Sequence, residues 1–328
     1  MQSRRHFMRT LCAASAGFGA RAFAEGAYPT RAIRMIVPFT PGGALDTVAR
    51  AVAPIAGERL GQQVVSENRP GGFTVIGNEM VAQAAPDGYT LLFAAAPIAL
   101  NTALGLKLPY DPMKDFEFVT LVARIPGMIV VHPSVAVSNL RELVEYSRKE
   151  SREKGSFQYA TAGVGTMGHL LGEYFFSGQG VKSVHVGYKG SAPALQDLIG
   201  GQVSVLLDAY VPSGPQILSG RARGIAIATE KRSPVLPDVP TFAESGYAGF
   251  EAYGFYGVVA PARTPRAVID KLNAAFVAAA TDRKVRATLV ASGYEVIANS
   301  PAEYRAFVRK QIDLWTPVVR KSNIKVEQ

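Results

Sequence analysis

Cysteine is nearly missing from this chain: its 328 residues hold one, Cys12. That residue lies in an N-terminal stretch expected to be removed, so the mature chain has none. Disulfides, thiolate-held clusters, thiol nucleophiles and covalently attached haem are thereby excluded from it. Histidine is scarce too. Beyond His6 there are His132, His169 and His185, none at metal-ligand spacing, and neither a His-Glu-x-x-His pattern nor a Gly-x-Ser-x-Gly elbow occurs. His169 reads as a residue that caps or packs its helix. A basic stripe is also lacking, because Lys and Arg are scattered among acids, which argues against nucleic-acid binding. Four of the 35 basic residues and none of the 26 acids precede residue 25, so the formal charge of +9 becomes +5 in the mature chain. A mildly positive surface suits an anionic small molecule. A membrane span needs about twenty strongly apolar residues. The apolar run at 10–20 is about half that length and rich in Ala and Gly.

What is present begins with an export signal. Ser3-Arg4-Arg5-His6-Phe7-Met8-Arg9 leads into that apolar run, and Ala22-Phe23-Ala24 supplies the small residues that place the cut before Glu25. The Ser-Arg-Arg-x-Phe pattern resembles the twin-arginine signal, whose cargo crosses the membrane folded. Residues 1–24 are read as a signal peptide and the destination as a bacterial periplasm. Leu11 stands before Cys12 where lipidation requires a small residue, so lipidation is rejected.

Without staples the mature chain relies on an ordinary core, divided over two domains. Residues 33–39 read as a buried strand, followed by Thr40-Pro41-Gly42-Gly43 and a helix in which Leu45, Val48, Ala49, Val52 and Ala56 recur at helical spacing. Strands at 64–66 and 90–94 enclose a helix at 75–84. This alternation predicts a largely parallel sheet with helices on its faces. Leu108-Pro109-Tyr110-Asp111-Pro112 interrupts it before an extended stretch at 116–132. A second series has strands at 157–160, 184–186, 203–207 and 225–228, separated by helices near 139–149, 166–176, 192–199 and 212–219. The proline-rich 233–240 precedes another extended segment at 250–260, which crosses back to the first lobe. The predicted division is 25–126 and 250–328 for domain 1 and 127–249 for domain 2. Ser300-Pro301-Ala302-Glu303 is a capping box opening the last helix, which Pro317 is expected to kink or stop.

Two glycine turns carry the functional signal: Pro38-Phe39-Thr40-Pro41-Gly42-Gly43 and Ala160-Thr161-Ala162-Gly163-Val164-Gly165-Thr166. Each joins a strand to a helix, so free backbone N–H groups and a helix dipole can face an anion. A hydrogen bond to a charged group contributes about 1.5–3 kcal/mol, and micromolar binding needs about 8 kcal/mol. Four or so backbone donors plus lobe closure therefore suffice for a carboxylate. Asp46 stabilises its helix's first turn or orients the Gly42-Gly43 loop. Asp208, at a strand end, faces the cleft or caps the next helix. Phe39, Tyr188, Tyr210 and Phe255 are core or hinge types, and Trp315 packs within the last helix. Gly163-Val164-Gly165-Thr166-Met167-Gly168 also fits a dinucleotide fingerprint, but the acid expected about twenty residues on is replaced by Val186-Gly187-Tyr188-Lys189. A periplasmic dinucleotide-dependent oxidoreductase ranks second for that reason.

Several segments together resemble the Bug receptors, the solute-binding proteins of tripartite tricarboxylate transporters. They are Ile36 to Asp46, Glu67-Asn68-Arg69-Pro70-Gly71, Ala85-Pro86-Asp87-Gly88-Tyr89, the Leu108 to Pro112 segment, Tyr188-Lys189-Gly190-Ser191-Ala192-Pro193 and Arg232 to Thr241. The resemblance implies an α/β, two-lobed, type II-like periplasmic binding protein that closes on its ligand like a flytrap. It implies no catalysis and no cofactor. Its expected partners are a small carboxylate or related amide and the permease subunits of a transporter, or a sensor, with the chain itself a monomer. Carried over residue by residue, it gives Phe39, Thr40, Gly42, Gly43 and Asp46 in the first loop, Thr161, Gly163, Gly165, Thr166 and His169 in the second, and Asp208. Ala95, within Phe93-Ala94-Ala95-Ala96-Pro97, stands where the family commonly has a hydroxyl, and Gly187 replaces a frequent proline. These departures lead to the expectation of a less polar ligand, aromatic or amidated.

Overall fold

The computed structural model describes residues 28–322 and 324. The export signal and its cut lie outside the described residues. The first lobe opens with β1 (Ile33–Val37), α1 (Ala44–Leu60), β2 (Val64–Asn68), a 3-10 turn at Gly72–Thr74, α2 (Val75–Ala82), β3 (Thr90–Ala95) and α3 (Pro97–Ala103). A 16-residue strand, β4 (Phe116–Val131), follows. The second lobe contains α4 (Leu140–Lys154), β5 (Phe157–Thr161), α5 (Met167–Gly178), β6 (Ser183–Gly187), α6 (Ser191–Ile199), β7 (Val205–Ala209), α7 (Tyr210–Leu218) and β8 (Arg223–Ile227). The chain returns through β9 (Tyr253–Pro261) to α8 (Arg266–Thr281), α9 (Arg283–Ala291), β10 (Glu295–Val296) and α10 (Pro301–Ser322).

The strand order is β2-β1-β3-β9-β4-β7-β5-β6, with β8 and β10 both added alongside β4. Each lobe holds a parallel trio, β2-β1-β3 in one and β6-β5-β7 in the other. The expectation of a largely parallel sheet is corrected at the centre, where β9 runs antiparallel to β3 and β4, and β4 antiparallel to β7 and β8. The reason is topological. An antiparallel strand lets the chain pass from one lobe to the other without the crossover helix a parallel neighbour demands. Along β4, residues up to Pro126 pair with β9 and those from Gly127 pair with β7.

The apolar spacing of α1 buries Leu45, Val48, Ala49, Val52 and Ala56 against a core shared with Leu272 and Phe276 of α8. A second core runs without interruption from Ile36 and Leu92 in the first lobe to Phe157, Leu171 and Phe175 in the second, with Trp315 among its members. Trp315 meets Tyr174 of α5 edge-on at 6.0 Å, so α10 straps both lobes. Of the two outcomes expected at Pro317, a kink or a stop, the stop does not occur: α10 continues through it. Pro317 takes the helical partner from the Asp313 carbonyl, but both residues are exposed, while buried Trp315, Val318 and Val319 hold the helix in place.

Candidate functional site

In each parallel trio the chain reverses direction of travel at the central strand, first to one side and then to the other. That leaves a crevice beyond the strand's carboxyl end, where open α/β sheets bind ligands. β1 is central in one trio and β5 in the other, and the two glycine loops follow these two strands.

The first loop is held from behind. Asp46 is 2% exposed, and its carboxylate accepts the Gly42 N–H (2.9 Å), the Arg50 Nε–H (2.8 Å) and the Asn68 amide (2.9 Å). Burial alone would raise its pKa. The Arg50 bond, the Gly42 N–H, the Asn68 amide and the Arg50 charge outweigh that and hold it at about 2. Both oxygens are therefore committed to the protein, and Asp46 shapes the loop rather than reaching into the crevice. Asn68 also donates to the Phe39 carbonyl at 3.0 Å and accepts from Arg50 at 3.0 Å. Gly43 stands at the α1 N-cap without a side-chain cap, so the N–H groups of Ala44 and Leu45 have no intrahelical partner. Phe39 is 39% exposed, on the rim and outside the core, and Thr40 beside it is exposed. Ala95 ends β3 nearby, almost fully buried, and offers no polar side chain.

The second loop is braced by its own side chains. Thr161 Oγ accepts the Gly163 N–H at 3.1 Å and lies 2.6 Å from His185 Nε2. Thr166 donates to the Gly163 carbonyl at 2.7 Å and caps α5 by accepting from the His169 N–H. His169 Nδ1 accepts the Gly165 N–H at 3.1 Å, so that nitrogen carries no proton. Gly165 has φ +73°, a left-handed conformation that side chains resist. His169 stacks on His185 with ring centres 3.7 Å apart, and burial pushes both pKa values down to about 4. Thr161, Thr166 and His169 are thus engaged within the loop, and the first-turn N–H groups of Met167 and Gly168 have no helical partner. A Cβ on Gly168 would run into the Leu207 carbonyl oxygen, and this close approach sets the loop beside Asp208.

Asp208 lies at the carboxyl end of β7, 5% exposed. Its Oδ1 accepts from Ser191 Oγ (2.9 Å) and the Ala209 N–H (2.8 Å). Burial is the larger influence on its pKa and pushes it up to about 6. Among the described residues no group of three or more His, Cys, Asp or Glu side chains is placed to hold a metal ion.

Asn68 and His185 join the site although neither is in the predicted set. Asn68 was visible only as part of the Glu67-Asn68-Arg69 segment. Nothing local marks His185, because its partners lie on β5 and α5.

Two α/β lobes joined through β4 and β9, each with helix N-termini at its switch point, define a two-lobed solute-binding protein. Residues 48–324 match the family model described as "Tripartite tricarboxylate transporter family receptor", beginning just after the first glycine loop. The chain belongs to this family, whose members are receptors and not enzymes. It is 35% identical to the protein BugT of Bordetella pertussis over 316 residues, 96% of each chain. The solved periplasmic binding protein BugD is 36% identical with a TM-score of 0.76, covering 92% of this chain and all of that one. MatC from Rhodopseudomonas palustris, solved with bound malate, is 33% identical with a TM-score of 0.75, covering 89% of this chain and all of that one. R. palustris Rpa4515, solved with adipate, is 34% identical with a TM-score of 0.78, covering 90% and 99%.

Proposed function

We propose that this chain is a periplasmic receptor that captures a small carboxylate between its lobes and delivers it to the permease subunits of a tripartite tricarboxylate transporter. The observation that carries this reading is the pair of helix N-termini, α1 and α5, placed at the switch points of the two lobes with the N–H groups of Ala44, Leu45, Met167 and Gly168 left open. Four such donors to a charged oxygen, at about 1.5–3 kcal/mol each, cover the roughly 8 kcal/mol of micromolar binding. Thr40 supplies a hydroxyl at the rim, and Phe39 an apolar edge. Malate in MatC and adipate with Rpa4515 support a carboxylate as the ligand class.

The lobes divide at Pro126/Gly127 on β4 and near residue 249 on the return, so domain 1 is discontinuous. The change of β4's partner from β9 to β7 at that point supports the division. Export before cleavage at Glu25 accords with the periplasmic description of BugD. A thermal-shift and calorimetric panel of mono-, di- and tricarboxylates and their amides, applied to the mature chain, tests the reading, because ligand that binds only the native state raises its apparent stability. At least one carboxylate should stabilise the protein. Silence across the panel, or a dinucleotide co-purifying in stoichiometric amount, would overturn it.

A further inference from the structure

Four consecutive residues after β2 take positive φ: Gly71 (+132°), Gly72 (+54°), Phe73 (+52°) and Thr74 (+73°). Glycine adopts that region freely, whereas an aromatic or β-branched residue is strained in it. Such strain persists only where the surroundings enforce it, and it gathers at ligand clamps. Here a buried polar set enforces it. Asn101 of α3 donates to the Phe73 carbonyl at 2.8 Å, and Asn78 of α2 donates to Thr74 Oγ at 3.2 Å and to the Tyr110 hydroxyl at 2.8 Å, both asparagines being buried. The Thr74 side chain is engaged in that set. The Phe73 side chain is 47% exposed and, among the described residues, joins none of the buried apolar clusters. A fold that needed only a turn here would be served by glycine at 73, without strain and without an exposed ring. The strained turn lies against the first glycine loop. A Cβ on Gly77 would stand 2.9 Å from Pro38 Cβ, so the first turn of α2 abuts the residue before Phe39, and Asn68 at the end of β2 holds the Phe39 carbonyl. Ile76, in that same helical turn, is 53% exposed, and its Cδ1 lies over Gly71. Phe39, Phe73 and Ile76 thus gather exposed apolar surface on the rim of the first lobe, and Val164 is exposed in the second glycine loop.

We propose that Phe73 and Ile76, beside Phe39, hold the hydrocarbon portion of the ligand, so that this receptor prefers carboxylates carrying a longer chain or an aromatic ring over short acids of the same charge. This rests on the carboxylate-receptor reading and narrows its substrate class. Family membership leaves the point open, since malate is short and polar and adipate has a longer apolar chain, and relatives of nearly equal identity were solved with each. Phe73 and Ile76 point to a less polar ligand independently of Ala95.

The test is calorimetry on the mature wild-type chain and on variants with two sets of probes: succinate, adipate and suberate, and butyrate, octanoate and benzoate. A fully buried methylene is worth roughly fourfold in affinity, and a rim covers one side of a chain, so suberate over succinate, or octanoate or benzoate over butyrate, should bind the wild type about tenfold tighter or more. The double variant Phe73→Gly, Ile76→Ala removes both side chains and suits the backbone, since glycine relieves the strain at 73 and alanine favours the first turn of α2. Its ratio should fall to within about threefold of one, the long acid losing more affinity than the short one. Phe73→Leu keeps an apolar side chain on the same backbone and should retain most of the preference. If the double variant does not fold, Ile76→Ala alone should lower the ratio by about threefold or more. A wild-type ratio near one in both sets, a preference that survives substitution, or an equal loss for long and short acids overturns the assignment and leaves the receptor reading standing. Silence of these probes alongside binding of another carboxylate in the wider panel does the same. Silence of every carboxylate overturns both.

Discussion

The stacked pair His169 and His185 makes the receptor acid-sensitive in a defined window. Both pKa values fall from 6.5 to about 4 through burial, and the adjacent ring lowers that of His185 further. The unfolded chain therefore takes up protons first as pH drops. Stability is complete above about 7, declines between 6.5 and 4, and levels off below the folded pKa values. A displacement of about 2.5 units corresponds to roughly 3 kcal/mol per group. His185 is partly open to solvent and the rings share one environment, so the pair together should contribute about 3 kcal/mol rather than twice that. Binding to the folded protein should hold until pH approaches 4, where a proton on His169 Nδ1 removes the acceptor for the Gly165 N–H and loosens the second loop. Urea unfolding of the mature chain at several pH values from 8 to 4 measures the slope. The double variant His169→Asn, His185→Asn, which keeps side-chain acceptors without titrating, should lose most of it. Identical pH profiles for variant and wild type would rule out the histidine pair as the source of the slope.

Asp46 titrates with the opposite consequence. Its pKa is held at about 2, so its contribution of about 2 kcal/mol is present above 3.8 and is lost as pH falls through 2; Asp46→Asn should remove a similar amount at pH 7 and weaken ligand binding, checked by unfolding and calorimetry. Asp208 carries a raised pKa of about 6, so its stabilising effect exists below 3.8 and disappears as pH rises through 6; Asp208→Asn should make the unliganded protein about 2 kcal/mol more stable at pH 8, seen as a higher Tm. Gly168→Ala should cost about 1–3 kcal/mol and displace the second loop, because its Cβ would meet the Leu207 carbonyl. Gly42 has φ +79° with open space around it, so Gly42→Val should act through backbone strain of about 1–2 kcal/mol and through the lost approach of a ligand to the loop; an unchanged affinity in the folded variant would place the ligand elsewhere.

The strand, glycine turn and helix units are legible in the sequence because each depends on local signals: an apolar run, a turn that only glycine takes easily, and then helical spacing such as Leu45, Val48, Ala49 and Val52. Each also sits where a strand must end. The antiparallel pairing of β9 with β3 and β4 joins segments more than a hundred residues apart, and periodicity carries no trace of it. Shorter separations, 24 residues from Thr161 to His185 and 29 from Phe39 to Asn68, still hide the His185 contacts and the role of Asn68, which depends on β2 ending beside β1. Asp46 and Thr166 belong to the predicted set, and both hydrogen-bond within their own loops and hold them in shape. Loop residues that brace and loop residues that bind look alike in sequence, because both lie within a few positions of the glycines. Only the hydrogen-bond partners separate them.

In the proposed function, open N–H groups at the starts of α1 and α5 hold the carboxylate. Amide NMR of the mature chain, before and after saturation with the tightest carboxylate of the panel, tests it most directly. Ala44, Leu45, Met167 and Gly168 should show downfield shifts and slowed hydrogen exchange, all four in the same titration. Bound ligand that leaves those four amides unmoved would contradict the account.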